Sequence, residues 1–168
     1  MIQELLSSQY DFRRDPVLYA HKEHAIVILK PDYTDTHIDK VQNFIAFNKL
    51  ELLHSAERVF GSADTIALYG DIFRFNTNDI IFGYGWKERK LTYMISGSSW
   101  IFIVRGYNAQ SLCETFKYKM RNEYGKLSVP DKKLSGAEFE ELAIKNVIHV
   151  VDTEETETVL WLLHTNSL

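Results

Sequence analysis

Ala25-Ile26-Val27-Ile28-Leu29 is an unbroken apolar run that ends at Lys30-Pro31-Asp32. That is the pattern of a central strand covered on both faces and stopped by proline, and such a strand delivers Lys30 to its end. The period then changes. Ile38, Val41, Phe44, Ile45 and Phe47 recur mostly at three- and four-residue steps, which predicts a helix with Thr36 placed to cap it. Leu50 to Phe60 predicts a second strand, and Ser62 offers an N-cap for a helix carrying Ile66, Leu68, Tyr69, Ile72 and Phe73. Residues 76–90 show no clear period. Ser98 to Val104 reads as a third strand closed by Gly106, after which Asn108 caps a long amphipathic helix through Leu112, Phe116 and Met120 to Arg121, stopping by Gly125. A polar loop with Lys126, Pro130, Asp131, Lys132 and Lys133 follows, suited to closing over phosphate. Ser135 with Glu138 forms a capping-box pattern for a short helix, and a strand around His149 comes next; Asp152 with Glu155 repeats the capping pattern before a last helix. The order β-α-β-(helices)-β-α-(loop)-β-α predicts an α+β fold of the ferredoxin-like split βαβ type, a four-stranded antiparallel sheet covered by helices.

A chain of 168 residues, 45% hydrophobic and 13% aromatic, supports one well-buried core. Residues 24–168 are read as that domain. Residues 1–23, broken at Arg13-Arg14-Asp15-Pro16, are read as an extension that packs on it or serves assembly. A net charge of -4 argues against a broad basic face for nucleic acid, so any anionic ligand must be held locally. The single Cys113 cannot form an internal disulfide, and the start Met1-Ile2-Gln3-Glu4-Leu5-Leu6 lacks the regions of a signal peptide, which predicts a cytoplasmic location. Runs such as Trp100-Ile101-Phe102-Ile103-Val104 and Val159-Leu160-Trp161-Leu162-Leu163 are too short to span a membrane. No His or Cys pair has ligand spacing, so no protein-held metal is expected. Cys113 lies on a helix stripe and reads as core, as do Trp86, Trp100 and Trp161.

Chemistry concentrates at Asn146-Val147-Ile148-His149-Val150-Val151-Asp152. An imidazole on a short apolar run is either satisfied by partners in the core or exposed at a strand end for reaction. The other histidines (His21, His24, His37, His54 and His164) share no spacing.

Four segments in the same order, Ile28-Leu29-Lys30-Pro31-Asp32, Tyr93-Met94-Ile95-Ser96-Gly97, Asn146-Val147-Ile148-His149 with Asp152, and Leu160-Trp161, resemble motifs of the nucleoside diphosphate kinases over about residues 24–164. The resemblance implies a phosphotransferase that moves the γ-phosphate of a nucleoside triphosphate to a nucleoside diphosphate through a phosphohistidine on His149, with ping-pong kinetics. It also implies Mg²⁺ accompanying the nucleotide and assembly as a homo-oligomer. An unperturbed imidazole, with pKa about 6.5, supplies the neutral nucleophile at pH 7. By the same resemblance Lys30 and Asn146 contact the ribose hydroxyl and phosphates. Glu157, four residues before Trp161, holds the imidazole tautomer, and Tyr69 stands near the transferred phosphate. Arg121, four residues before Gly125, and Arg74, with Arg89 as its alternative, grip phosphate. Read without the resemblance, these are a strand-end lysine, a turn asparagine, a solvated helix carboxylate, a core aromatic and a helix-end arginine.

The chain departs from the family pattern around the phosphates. Val150 and Val151 stand where the family has glycine and serine, and Arg105 where it has glutamate. Ser135 or Gly136, and Leu127, occupy the places of an arginine and a threonine in the loop. A lost charge-assisted phosphate contact costs about 1.5–3 kcal/mol, and Lys126, Lys132 and Lys133 are the candidates to replace it. Three functions fit this pattern: a divergent nucleoside diphosphate kinase, a phosphohistidine-dependent kinase with a non-standard acceptor in a specialised pathway, and a non-catalytic nucleotide-binding or interaction module.

Overall fold

The computed structural model describes residues 22–69, 85–124 and 144–165. Strand β1 (Lys22–Leu29) runs antiparallel to β3 (Ser98–Tyr107) on one side and to β4 (Ile148–Val150) on the other, while β2 (Glu51–Val59) pairs antiparallel with β3. The sheet order is β2-β3-β1-β4. With α1 (Asp35–Phe47), α2 (Ser62–Tyr69), α3 (Trp86–Met94), α4 (Ala109–Tyr124) and α5 (Thr153–Thr165), this is the four-stranded antiparallel ferredoxin-like sheet that the element order predicts. Residues 1–21 and the Ser135 capping pattern lie outside the described residues.

β1 needs no polar alternation because helices cover both of its faces. Successive side chains point to opposite sides of a strand. Ala25, Val27 and Leu29 therefore join Val41 and Ile45 of α1 with Cys113 and Met120 of α4. Ile26 and Ile28 join Leu68 of α2, Tyr93 and Met94 of α3, and Val159 and Leu163 of α5. The α1 and α4 layer is closed by Phe44 stacked on Phe116, ring centroids 4.2 Å apart. Burial pushes the Cys113 thiol up to about 12, consistent with a core side chain. Among the described residues no helix is long and apolar enough to cross a membrane.

Several boundaries move from their expected positions for local reasons. Thr34, not Thr36, is the N-cap of α1; the Thr34 N–H donates to Nδ1 of His37 at 2.9 Å, so an imidazole takes the place that Glu or Gln usually fills. Ser62 lies inside α2, and Asp64 Oδ2 accepts the Gly61 N–H at 3.1 Å. β3 continues through Gly106 instead of closing there, and Asn108, at φ 54°, makes the turn into α4; Asn tolerates this left-handed conformation better than most residues. Gly106 is glycine because of Leu50: an added Cβ would lie 2.6 Å from Leu50 Cδ2. Gly106→Ala is expected to lower stability by about 1–2 kcal/mol, since Leu50 is buried but can rotate. Chemical denaturation checks this, and an unchanged midpoint would mean that Leu50 yields without cost.

Candidate active site

The site is built from the end of β1. Lys30 follows Leu29 and shares the parity of Ile26 and Ile28 along the strand. Its side chain is fully buried; Nζ donates to the Ile144 carbonyl at 3.0 Å and to Oδ1 of Asn146. The Lys30 backbone N–H donates to the Val147 carbonyl at 2.8 Å. One residue thus ties down the segment leading into β4.

That segment is strained. The Ile148 N–H donates back to the Asn146 carbonyl at 2.6 Å, across Val147 at φ 56°. This is a γ-turn with positive φ on a buried β-branched residue, a conformation that costs on the order of 1–3 kcal/mol and persists only where surrounding contacts enforce it. The Lys30 contacts enforce it here. The turn sets the parity of β4, so that Ile148 and Val150 enter the α1 and α4 core while His149, opposite Ile28 in register, faces the other layer.

His149 is buried there. Its ring packs against Tyr69 of α2 with centroids 4.3 Å apart. The Tyr69 hydroxyl donates to Met94 Sδ at 3.5 Å, and Lys90 of α3 lies over the Tyr69 ring, 4.0 Å from its centroid. From the last turn of α4, Arg121 donates Nε and Nη2 to the Ile148 carbonyl at 3.2 and 2.9 Å, which fixes a guanidinium one residue from the imidazole. Lys117, one turn earlier, is paired with Glu114. The Lys-Pro-Asp and Tyr-Met-Ile-Ser-Gly segments meet beside this group: the Tyr93 hydroxyl donates to Asp32 Oδ1, and a Cβ on Gly97 would lie 3.3 Å from Pro31 Cβ.

Burial, and then the charges of Lys90, Lys30, Arg121 and Lys117, hold the His149 imidazole well below its ordinary pKa. The ring is therefore neutral at pH 7. Its Nε2 is buried and has no hydrogen-bond partner among the described residues, whereas buried polar atoms in folded proteins nearly always have one. Burial also pulls the Lys30 amine well down, with Lys90 and Arg121 adding to the effect and Asp32 opposing it. Lys90 is lowered to about 7 by burial and by Arg121. Burial raises Tyr69. The combination is a neutral imidazole among basic side chains, an arrangement that disfavours protonation of the ring.

Of the residues singled out in the sequence, the structure gathers His149, Lys30, Asn146, Tyr69 and Arg121. It does not bring Glu157 to them: this carboxylate is exposed on α5 and makes no hydrogen bond to the imidazole. Facing is the reason, since the helix turns Thr156 and Val159 inward instead. Arg89 is exposed on α3. Arg74, Lys126, Lys132 and Lys133 lie outside the described residues. Lys90 was not legible as a site residue, although a helical spacing of three and four places it on one face with Tyr93 and Met94, and that face is buried.

No protein-family model and no curated protein matches the chain. Among solved structures, the nucleoside diphosphate kinase of Aquifex aeolicus in an orthorhombic crystal form is similar at a TM-score of 0.58 and 15% identity, over 85% of this chain and 95% of that one. The apo nucleoside diphosphate kinase of Encephalitozoon cuniculi is similar at 0.56 and 17%, over 81% and 84%. An NDP kinase from Pyrobaculum aerophilum is similar at 0.54 and 15%, over 83% and 94%. At these identities what the chain shares with them is the fold: it carries a nucleoside diphosphate kinase-like fold, with His149 at the end of its sheet order.

Proposed function

We propose that the protein is a phosphotransferase that takes the γ-phosphoryl group of a nucleoside triphosphate onto His149 and passes it to a nucleoside diphosphate. The observation that carries this is the buried, neutral imidazole with an unpartnered nitrogen, set among Lys30, Lys90, Lys117 and Arg121. A histidine kept only for packing gains nothing from such neighbours, whereas a nucleophile for a phosphate ester gains from all of them. Attack forms an N–P bond as the bond to the β,γ-bridging oxygen breaks, and the diphosphate leaves with the electron pair. A terminal phosphate oxygen of the acceptor then displaces the imidazole, which regenerates the free enzyme in ping-pong fashion.

Within this reading Lys30 and Arg121 neutralise phosphate charge, Asn146 contributes polar contacts to nucleotide, and Tyr69 buttresses the ring. Among the described residues the charged side chains that act on His149 are basic, and no group of three or more His, Cys, Asp or Glu side chains gathers to hold a metal. Mg²⁺, when bound, would come with the nucleotide and would offset phosphate charge during the transfer. The edge strand β2, with Leu52, Leu53 and Val59 exposed, supports a homo-oligomer, because such edges are usually covered.

Incubation with γ-labelled ATP and Mg²⁺ tests the proposal. An acid-labile, alkali-stable phosphoprotein that α-labelled ATP does not produce is expected, and GDP or dCDP is expected to discharge it. A label that no nucleoside diphosphate removes would move the acceptor to another class. Nucleotide binding without label would leave a binding module.

A further inference from the structure

An imidazole closes the first turn of α1. The Thr34 N–H donates to Nδ1 of His37 at 2.9 Å, and the Thr34 hydroxyl lies 3.2 Å from the same atom. A backbone N–H can only donate, so Nδ1 holds its lone pair and the ring is uncharged in this arrangement. Glutamate or glutamine, the usual residues here, accept the same bond without titrating near pH 6. Histidine makes the cap depend on a proton. Taking one up removes the lone pair and sets a positive charge in the first turn of a helix, where the backbone dipole disfavours cations.

The turn held in this way carries part of the site. The Tyr33 N–H donates to the Lys30 carbonyl at 2.9 Å, and Asp32 accepts the Tyr93 hydroxyl. Thr34 ends the turn as the N-cap of α1. The imidazole is buried and meets Tyr124 at the end of α4, with centroids 4.5 Å apart and planes at 89°. Beside it Lys40 pairs with Glu123 at 2.6 Å and lies over the Tyr124 ring.

We propose that His37 is an acid-operated latch on the turn between β1 and α1: uncharged, its Nδ1 holds Thr34 and closes the helix; protonated, it lets go, and residues 31–34 loosen beside Lys30. The titratable and charged groups that face the ring are Asp32 from the turn, Lys40 on its own helix, and Glu123 with Tyr124 from α4. Burial holds the imidazole below its ordinary pKa; Asp32 opposes this, Lys40 adds to it and Glu123 opposes it. The opened turn, with a value near about 6.5, therefore binds the proton more readily than the closed one, and the closed form loses stability as pH falls through that value.

The experiment compares hydrogen exchange in wild type and His37→Gln between pH 7.5 and pH 5, each rate divided by that of an unstructured chain at the same pH. Glutamine completes a Thr-x-x-Gln capping box with no titrating group. Protection of the amides of residues 33–38 is expected to fall about 10-fold across this range in wild type, the size of a lost cap, and to stay nearly constant in His37→Gln. His149 titrates in both proteins and cancels in the comparison. An equal loss of protection in the two would overturn the latch. A titration of wild type followed by nuclear magnetic resonance carries the test where the variant does not fold. The Thr34 amide and the His37 ring protons are expected to titrate together, with a midpoint below about 6.5; an amide that stays still while the ring titrates would overturn the proposal. Neither measurement uses nucleotide, so failure of the latch and failure of the phosphohistidine are read separately.

Discussion

His149→Leu is expected to abolish phosphoprotein formation and, at the same time, to raise the melting temperature. His149 is the nucleophile of the proposed reaction, so the loss of rate is about 10⁴-fold or more, as for removal of any covalent nucleophile. The gain in stability has a separate origin. The wild-type ring buries an Nε2 without a partner, and an unsatisfied buried polar atom costs about 1–3 kcal/mol; leucine fills the space against Tyr69 with no polar atom. In a chain of this size about 2–4 °C accompanies each kcal/mol. A melting temperature that falls, with the label retained, would show a structural histidine and sink the proposed function.

The same variant carries a pH signature. The folded His149 pKa lies well below the ordinary value, and the unfolded value is about 6.5. Between the two, the unfolded chain binds more protons than the folded one, so wild-type stability falls as pH drops through 6.5. His149→Leu lacks this dependence. Its advantage over wild type is expected to grow from pH 7.5 to pH 5, as read by melting temperature at the two values. His37 is shifted in the same direction but is present in both proteins.

Lys30→Met is expected to cost both stability and activity. Methionine keeps most of the buried stem and removes Nζ, which leaves the Ile144 carbonyl and Asn146 Oδ1 without the donor they share. Two such acceptors lose about 1–3 kcal/mol each, partly offset by relief from burying an amine. A net loss of about 2 kcal/mol, or about 4–8 °C, is expected. Asn146 and the Val147 γ-turn are also released. The imidazole then loses its fixed orientation, and labelling is expected to fall about 100-fold or more, since misplacement by about 1 Å has that effect. The sign with pH is the same as for His149, because both folded pKa values are depressed. The folded Lys30 pKa is depressed, so the unfolded chain binds more protons from that value up to about 10.4, and wild-type stability rises with pH across the window. The deficit of Lys30→Met relative to wild type should therefore widen from pH 7 to pH 10. A variant as stable as wild type that labels normally would mean that the β4 entry holds its shape without Lys30.

Much of this was legible in local pattern. Continuous apolarity from Ala25 to Leu29 identifies a strand covered on both faces, and the steps from Ile38 to Phe47 identify a helix, because side-chain direction repeats every two residues in one and about every 3.6 in the other. Lys30, placed at the end of such a strand, and His149, on a short apolar run, were legible for the same reason. Helix starts were less so. Thr34 displaced Thr36 as the cap of α1 because His37 supplies an unexpected acceptor, and β3 passed through Gly106 because Leu50 requires a residue without a Cβ.

Which helix residues reach the imidazole could not be read from periodicity. Glu157 and Lys90 both sit at positions where a helical wheel allows either solvent or core. Only the seating of α5 and α3 on the sheet turned the carboxylate outward and the lysine in. The sequence by itself determined the order of strands and helices and the residues that end β1 and form β4, since these depend on periods within one segment. The tertiary structure alone decided that, among the described residues, His149 is set with Lys30, Lys90, Lys117 and Arg121 while Glu157 faces away, because burial and charge at a point are sums over elements distant in the chain.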